Sequence, residues 1–192
     1  MFDFASFLPR AVMQGIPLLY GSTGEILTEK SGNLNLGIPG VMYVGGICGV
    51  IGAFFYEQSV ASAAEMSAVL AIGIPMLASL LGSLIKLTGS EVPSIALSAT
   101  SAYFSKSLPI AETTGWFGQV FLSYGFLAYL AIIIALLSSY FLKHTRTGLH
   151  LRAVGESAAT ADAAGINVTK YKYMATCIGS MIAGLGGLYY VM

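Results

Sequence analysis

An all-α, polytopic transmembrane helical bundle of about five spans is the fold this sequence predicts, with one further helix left in water. Three observations predict it. Of 192 residues, 56% are hydrophobic and only 9% charged. A soluble domain carries about 25% charged residues and does not leave most of its surface apolar. Apolar runs approaching the ~20 residues needed to cross ~30 Å of hydrocarbon recur along the chain. Glycine is abundant, at 23 residues, which suits the close approach of helices in lipid.

The elements follow in order. Phe7 to Leu27 is a span interrupted by Pro9, Arg10, Pro17 and Gly21, so it is expected to be kinked or partly unwound. The ten residues from Met1 to Arg10 lack the basic start and small-residue cleavage site of a secretory signal, so this span is expected to stay in the mature protein. Gly40 to Tyr56 is a second, slightly short span. Met66 to Leu87 is a third, nearly uninterrupted until Lys86. Thr88 to Gln119 holds Pro93, Pro109, Tyr103, Phe104, Trp116 and Phe117. It reads as an external loop with a short helix at the interface, where Trp and Tyr prefer to sit, and equally as an ordinary exposed loop. Phe121 to Leu142 is the cleanest span, without a charge, and Tyr173 to Met192 is the fifth. Gly45, Gly49 and Ala53 recur every four residues, as do Gly179, Ala183 and Gly187. Small residues at that spacing make a flat stripe for a neighbouring helix. Cys48 and Cys177 both lie in apolar runs, without metal-ligand spacing or an implied disulfide.

Net charge is zero, but its distribution is uneven. Five of the nine basic residues (Lys143, Arg146, Arg152, Lys170 and Lys172) fall between 143 and 172, opposed there only by Glu156 and Asp162. A basic excess beside spans marks the cytoplasmic side. Within this stretch, Lys143 to Gly165 is polar and alanine-rich between two apolar runs. Glu156 to Ala164 is a strong helix former. Glu156 is placed in its first turn, complementing the dipole, and Gly165 at its C-terminal stop. Glu156, Ala159, Thr160 and Ala163 share a face at helical spacing. Its low bulk would let it sit closely in a groove on a partner; a solvated loop helix without a partner fits the same residues.

A second polar segment, Thr28 to Gly40, lies between the first two spans. Its backbone cannot remain an ideal helix through Gly32, Gly37, Pro39 and Gly40. Non-helical backbone at membrane depth survives only where protein or a water-filled cavity surrounds it, and such breaks line substrate paths. Asn33 and Asn35 offer uncharged donors and acceptors suited to a neutral polar solute such as a sugar or nucleoside. A turn at the membrane surface, with Glu29 and Lys30 in water, fits equally well. No catalytic constellation is visible, and no cofactor, metal or nucleic acid is expected. His144 and His150 stand six residues apart, off a common helix face. There is no Gly-x4-Gly-Lys-Ser/Thr phosphate loop, so the chain is not expected to hydrolyse ATP; the glycines of Gly184 to Gly187 lie in a span and read as packing. The clean spans hold no ionisable relay of the kind a secondary transporter uses.

Taken together, Glu29-Lys-Ser-Gly-Asn-Leu-Asn-Leu-Gly37, Thr147-Gly-Leu-His-Leu-Arg-Ala-Val-Gly-Glu156, Ala159, Ala163 to Val168 and Ile182 to Gly187 resemble the membrane permease subunit of an ATP-binding-cassette (ABC) importer. The nearest group is the branched-chain amino acid, ribose and nucleoside permeases, and within it those served by basic-membrane-protein-type lipoprotein receptors for purine nucleosides. The resemblance implies a single permease domain over 1–192, with a cytoplasmic coupling loop at 143–167. It implies that Gly155, Glu156, Ala159, Ala163 and Gly165 dock on an ATPase, and that Glu29, Ser31, Asn33, Asn35 and Gly37 border the substrate path. Implied partners are ABC ATPase subunits, a second permease chain as homo- or heterodimer, an extracytoplasmic solute-binding lipoprotein and the bilayer of a bacterial plasma membrane. A permease for simple sugars such as ribose, or a non-transporting fragment, are the other readings.

The sequence also departs from that family. Pro39 stands where members often have Glu. Members usually run longer, with further spans after the coupling loop. The polar stretch that usually follows the third span is missing, because Gly82 to Ser90 runs straight into Glu91-Val-Pro93. The chain is therefore expected to be internally shortened and to lack the C-terminal spans. Loss of one whole span would prevent both halves from keeping the family's orientation.

Overall fold

The computed structural model describes residues 4–60, 67–82, 104 and 124–191. Every element among them is a helix: α1 (Phe4–Glu29), α2 (Ile38–Ser59), α3 (Ala68–Gly82), α4 (Phe126–His144), α5 (Arg146–Glu156), α6 (Ala158–Ala163) and α7 (Val168–Val191). The protein is an all-α helical membrane protein. α2, α4 and α7 are each long and apolar enough to cross a membrane, and α3 is a shorter apolar helix. α1 has the length, at 26 residues, but turns polar from Ser22 to Glu25.

α7 is the axis of the bundle. It packs most extensively on α1 and α2, then on α3, and Ile182 to Leu188 are buried without interruption. The two glycine stripes explain how. A side-chain carbon on Gly24 would overlap the Gly179 carbonyl oxygen. One on Gly45 would overlap the Gly184 backbone, and one on Gly187 the Met42 carbonyl. Backbones thus meet without intervening side chains, as small residues allow in lipid. Ala53 and Ala183 are fully buried. Polar ties join other helix pairs: Ser79 Oγ of α3 donates to the Gly184 carbonyl of α7 at 2.8 Å. Tyr20 Oη donates to the Leu127 carbonyl at 2.7 Å, joining α1 to α4. Because the unfolded alternative in lipid also finds partners, each such bond is worth about 0.6–1 kcal/mol.

Three expectations change. α1 stays helical through Pro9 and Pro17, so it is not unwound there; neighbouring helices make proline tolerable inside a span. Pro39 and Gly40 belong to the first turn of α2, where the missing proline N–H would have had no partner in any case. The Thr88–Gln119 loop lies outside the described residues except Phe104. That residue is helical and buried with Ile16, Tyr20 and Leu127 in the core cluster, not exposed at an interface.

Candidate functional site

α1 ends in a polar knot. Thr28 and Ser31 are both fully buried. Thr28 Oγ1 donates to the Gly24 carbonyl at 2.8 Å and Ser31 Oγ to the Thr28 carbonyl at 2.6 Å. The Gly32 N–H closes the turn onto the Glu29 carbonyl at 2.8 Å. Gly32 has φ +78°, a left-handed conformation that costs other residues roughly 1–2 kcal/mol. Residues 33–35 then run without helix. Asn35 Oδ1 accepts the Gly37 N–H at 3.1 Å, making the turn into α2.

The unwound stretch has depth. Ile38, the first residue of α2, lies against Gly21. Gly21 stands eight residues before the end of α1, about 12 Å by helical rise. The chain between them therefore folds back alongside α1, and α2 starts well inside the span. Along this stretch Asn33 Nδ2 donates to Thr176 Oγ1 of α7 at 3.3 Å. Thr176 Oγ1 donates in turn to the Lys172 carbonyl at 3.0 Å. Asn33, Thr176, Lys172, Thr169 and Tyr173 line a pocket of about 430 Å³.

The water-facing segment is an elbow of two helices, not one. Thr145 caps α5 by accepting the Gly148 N–H at 3.0 Å. Ser157 caps α6 by accepting the Thr160 N–H at 3.3 Å. The expected helix start at Glu156 moves to Ala158, with Ser157 as its cap, and the shift has a physical consequence. Glu156 is the last residue of α5, where its charge opposes the dipole, and it does not share a face with Ala159 and Ala163. The signal was present: Ser ahead of an alanine run is a cap. The stop is where the sequence placed it. Gly165 has φ +81°, its N–H reaches the Asp162 carbonyl at 2.9 Å, and the Ile166 N–H reaches the Ala161 carbonyl at 3.0 Å. That is the paired closure of a glycine-terminated helix. Ala161 faces inward, while Ala159, Thr160 and Ala163 are exposed. Leu151 and Val154 bury α5 against the bundle. His150 Nδ1 meets Tyr171 Oη at 3.0 Å, tying α5 to α7.

The two polar segments meet. A side-chain carbon on Gly155 would overlap the Lys30 carbonyl oxygen, and one on Gly32 would lie 3.2 Å from Gly155 Cα. Gly155 thus brings the elbow's backbone directly onto the break after α1. Of the five candidates on the break, Asn33 alone faces the pocket. Ser31 is spent holding the end of α1, the Asn35 oxygen holds its own turn, Gly37 precedes α2, and Glu29 is exposed at the end of α1. Thr176, which Asn33 reaches, is separated from it by 143 positions and carried no sequence signal. Among the described residues no group of three or more His, Cys, Asp or Glu could hold a metal ion.

Fold and site together define a class: a helical membrane protein whose first two long helices are separated by an unwound polar stretch, with a water-facing elbow seated on that stretch. The chain belongs to the family described as branched-chain amino acid transport system / permease component, which matches it over residues 8–192. It is similar to the guanosine ABC transporter permease protein NupQ of Bacillus subtilis. Identity is 29% over 210 residues, covering 94% of this chain and 65% of the relative. The nucleoside ABC transporter permease protein NupC of Lactococcus lactis is 27% identical over 91% of this chain and 63% of its own length. The putative glucose ABC transporter permease protein TsgC13 of Haloferax volcanii is 29% identical over 96% of this chain and 62% of its own length. The chain thus spans a little under two thirds of these relatives. The NupQ alignment, at 210 residues, is longer than this chain, so that relative carries internal residues without a counterpart here. No solved structure matches.

Proposed function

We propose that this chain is the membrane-spanning part of an ATP-driven importer in a bacterial plasma membrane, and that its solute is a purine nucleoside. The observation that carries the reading is the backbone contact of Gly155 with Lys30 and Gly32. It gives a mechanical route from a low-bulk, water-facing surface to the unwound stretch inside the span. In this reading the elbow docks on an ATPase through the exposed Glu156 at the end of α5 and through Ala159, Ala163 and the Gly165 turn of α6. ATP-driven closure of two such subunits shifts the elbow. Gly155 passes the shift to the Lys30–Gly37 break, and the bundle alternates between inward and outward openings. Asn33 is the residue on the break with free capacity: its amide oxygen has no hydrogen-bond partner among the described residues. An amide suits the hydroxyls and ring nitrogens of a neutral solute. A second permease chain and an external receptor complete the assembly.

The likeness to the guanosine permease NupQ and the nucleoside permease NupC supports the nucleoside, and the likeness to the putative glucose permease TsgC13 supports the sugar alternative. Uptake of labelled guanosine and labelled glucose by cells expressing the whole complex separates them. Guanosine uptake that stops on Asn33→Ala with unchanged membrane levels is the expected result; uptake of glucose alone would replace the nucleoside with a sugar. Glu156 is exposed, so Glu156→Arg is expected to leave insertion intact and abolish co-purification with the ATPase. Undiminished co-purification would remove the coupling assignment. A chain that inserts but supports neither uptake nor ATPase binding is the non-transporting fragment.

A further inference from the structure

We infer that the cleft between α1, α4 and α5 is a binding site for an anionic phospholipid, held by Lys30, Lys143 and Arg152. The cleft has a volume of about 440 Å³, and these three cations lie among its lining without a carboxylate. None of them has an ion pair among the described residues. Glu156, one turn from Arg152 on the same helix, does not reach it. Like charges are brought together from three places in the chain: the turn just after α1, the last turn of α4 and the middle of α5. Lys143 there also complements the dipole of α4, but Arg152 is mid-helix and gains nothing from that effect. An anion between the three relieves their mutual repulsion.

The rest of the cleft selects a lipid over a free ion. Leu19 and Ile26 line it from α1, and Ala135 and Leu142 from α4. Ser22 stands eight residues before Lys30, about 12 Å deeper by helical rise, so the cleft runs down the outside of the bundle. Ser138 and Ser139 open into it with no hydrogen-bond partner among the described residues. They sit one turn below Lys143, at the depth of the ester groups beneath a phosphate. The outer surface beside them, Ile133 and Leu137, is exposed in the isolated chain and belongs in acyl chains. Basic groups between helices at a membrane surface recognise anionic headgroups in this way. The inference needs only that the chain sits in a membrane, and it does not rest on the proposed solute.

The test is retention of lipid by the intact complex, purified from vesicles that contain phosphatidylcholine and phosphatidylglycerol. Native mass spectrometry should find phosphatidylglycerol retained over phosphatidylcholine; equal retention overturns the inference even without a variant. Lys143→Gln with Arg152→Gln should lower that retention at least about tenfold, since each removes a charge-assisted contact to the phosphate that is worth roughly tenfold or more. Arg146→Gln with Lys170→Gln removes the same charge from exposed positions outside the cleft and should leave at least half. Equal losses in the two pairs would mean diffuse attraction and no site. Displacement of the lipid by inorganic phosphate alone would make the cleft an ion site and would likewise overturn the inference.

Discussion

The seam along α7 and the contact at Gly155 use one device, glycine against backbone, in two different settings. Along α7 the device repeats: Gly24 on Gly179, Gly45 on Gly184 and Gly187 on Met42 stack over several turns between long helices. At Gly155 it occurs once, between an 11-residue helix in water and a stretch with no helix at all. The first setting holds because many contacts share the load. The second is one backbone contact beside the buried Leu151 and Val154, and in the proposed coupling it shifts while the seam stays closed. The same residue type thus builds a repeated helix seam in one place and, in the proposed function, a transmitting contact in the other.

Substitutions at the two glycines test that difference, and the seam should show the largest effect. Gly187→Leu pushes a branched side chain into the Met42 backbone, which cannot rotate away. Overpacking a close-fitted interior costs typically about 1–3 kcal/mol and more where backbone must move. The expected result is loss of monodisperse protein on size exclusion after detergent extraction. A well-folded Gly187→Leu protein would mean that α2 and α7 are not in backbone contact. At the elbow, Gly155→Val meets the Lys30 carbonyl and should cost about 1–2 kcal/mol, the low end of the same range. The protein should still reach the membrane, while solute uptake by the complex falls by much more than protein level does. Uptake that merely tracks protein level would reduce Gly155 to a packing residue.

The seam was readable from the sequence and the elbow contact was not, for a physical reason. A stripe such as Gly179, Ala183, Gly187 is a local pattern: three small residues on one face mean close approach whatever the neighbour is. The pattern does not name the partner, and Gly24 enters the contacts unannounced, whereas Gly184 falls in the Gly184–Gly187 run that reads as packing. Gly165 was likewise legible, since a helix stop depends on its own φ and the turn before it. By contrast, the meeting of Gly155 with Lys30 joins positions that only the complete fold brings together. The cap at Ser157 is within the sequence's reach; there the charge rule for Glu156 competes with the capping rule for serine, and the cap's direct hydrogen bond outweighs a screened charge at an exposed helix end.

Between these two regions lies the tie from α1 to α4, and its loss should be milder. Tyr20→Phe removes the hydroxyl that reaches the Leu127 carbonyl but keeps the ring, which is buried in the core cluster. The Leu127 carbonyl belongs to a helix and retains a backbone partner. About 0.6–1 kcal/mol of stability should be lost, read as a lower midpoint of thermal unfolding in detergent. A loss well above that would mean that the hydroxyl holds α4 in place and is not one tie among several.

The smallest effect is expected at a glycine that belongs to neither region. Gly73 lies inside α3, and a side-chain carbon there would meet nothing within 4 Å. It therefore makes none of the backbone contacts that define the seam or the elbow. Inside a helix, alanine is favoured over glycine by about 0.5–1 kcal/mol, because glycine surrenders more backbone freedom on folding. Gly73→Ala should accordingly unfold at the same temperature as the parent or slightly above it, with membrane level unchanged. Abundance alone would make every glycine of this chain equivalent; the packing account requires Gly187 and Gly73 to differ in the sign of their effect. A destabilised Gly73→Ala chain would place another helix against that face of α3, and the comparison would then have three glycine contacts to explain instead of two.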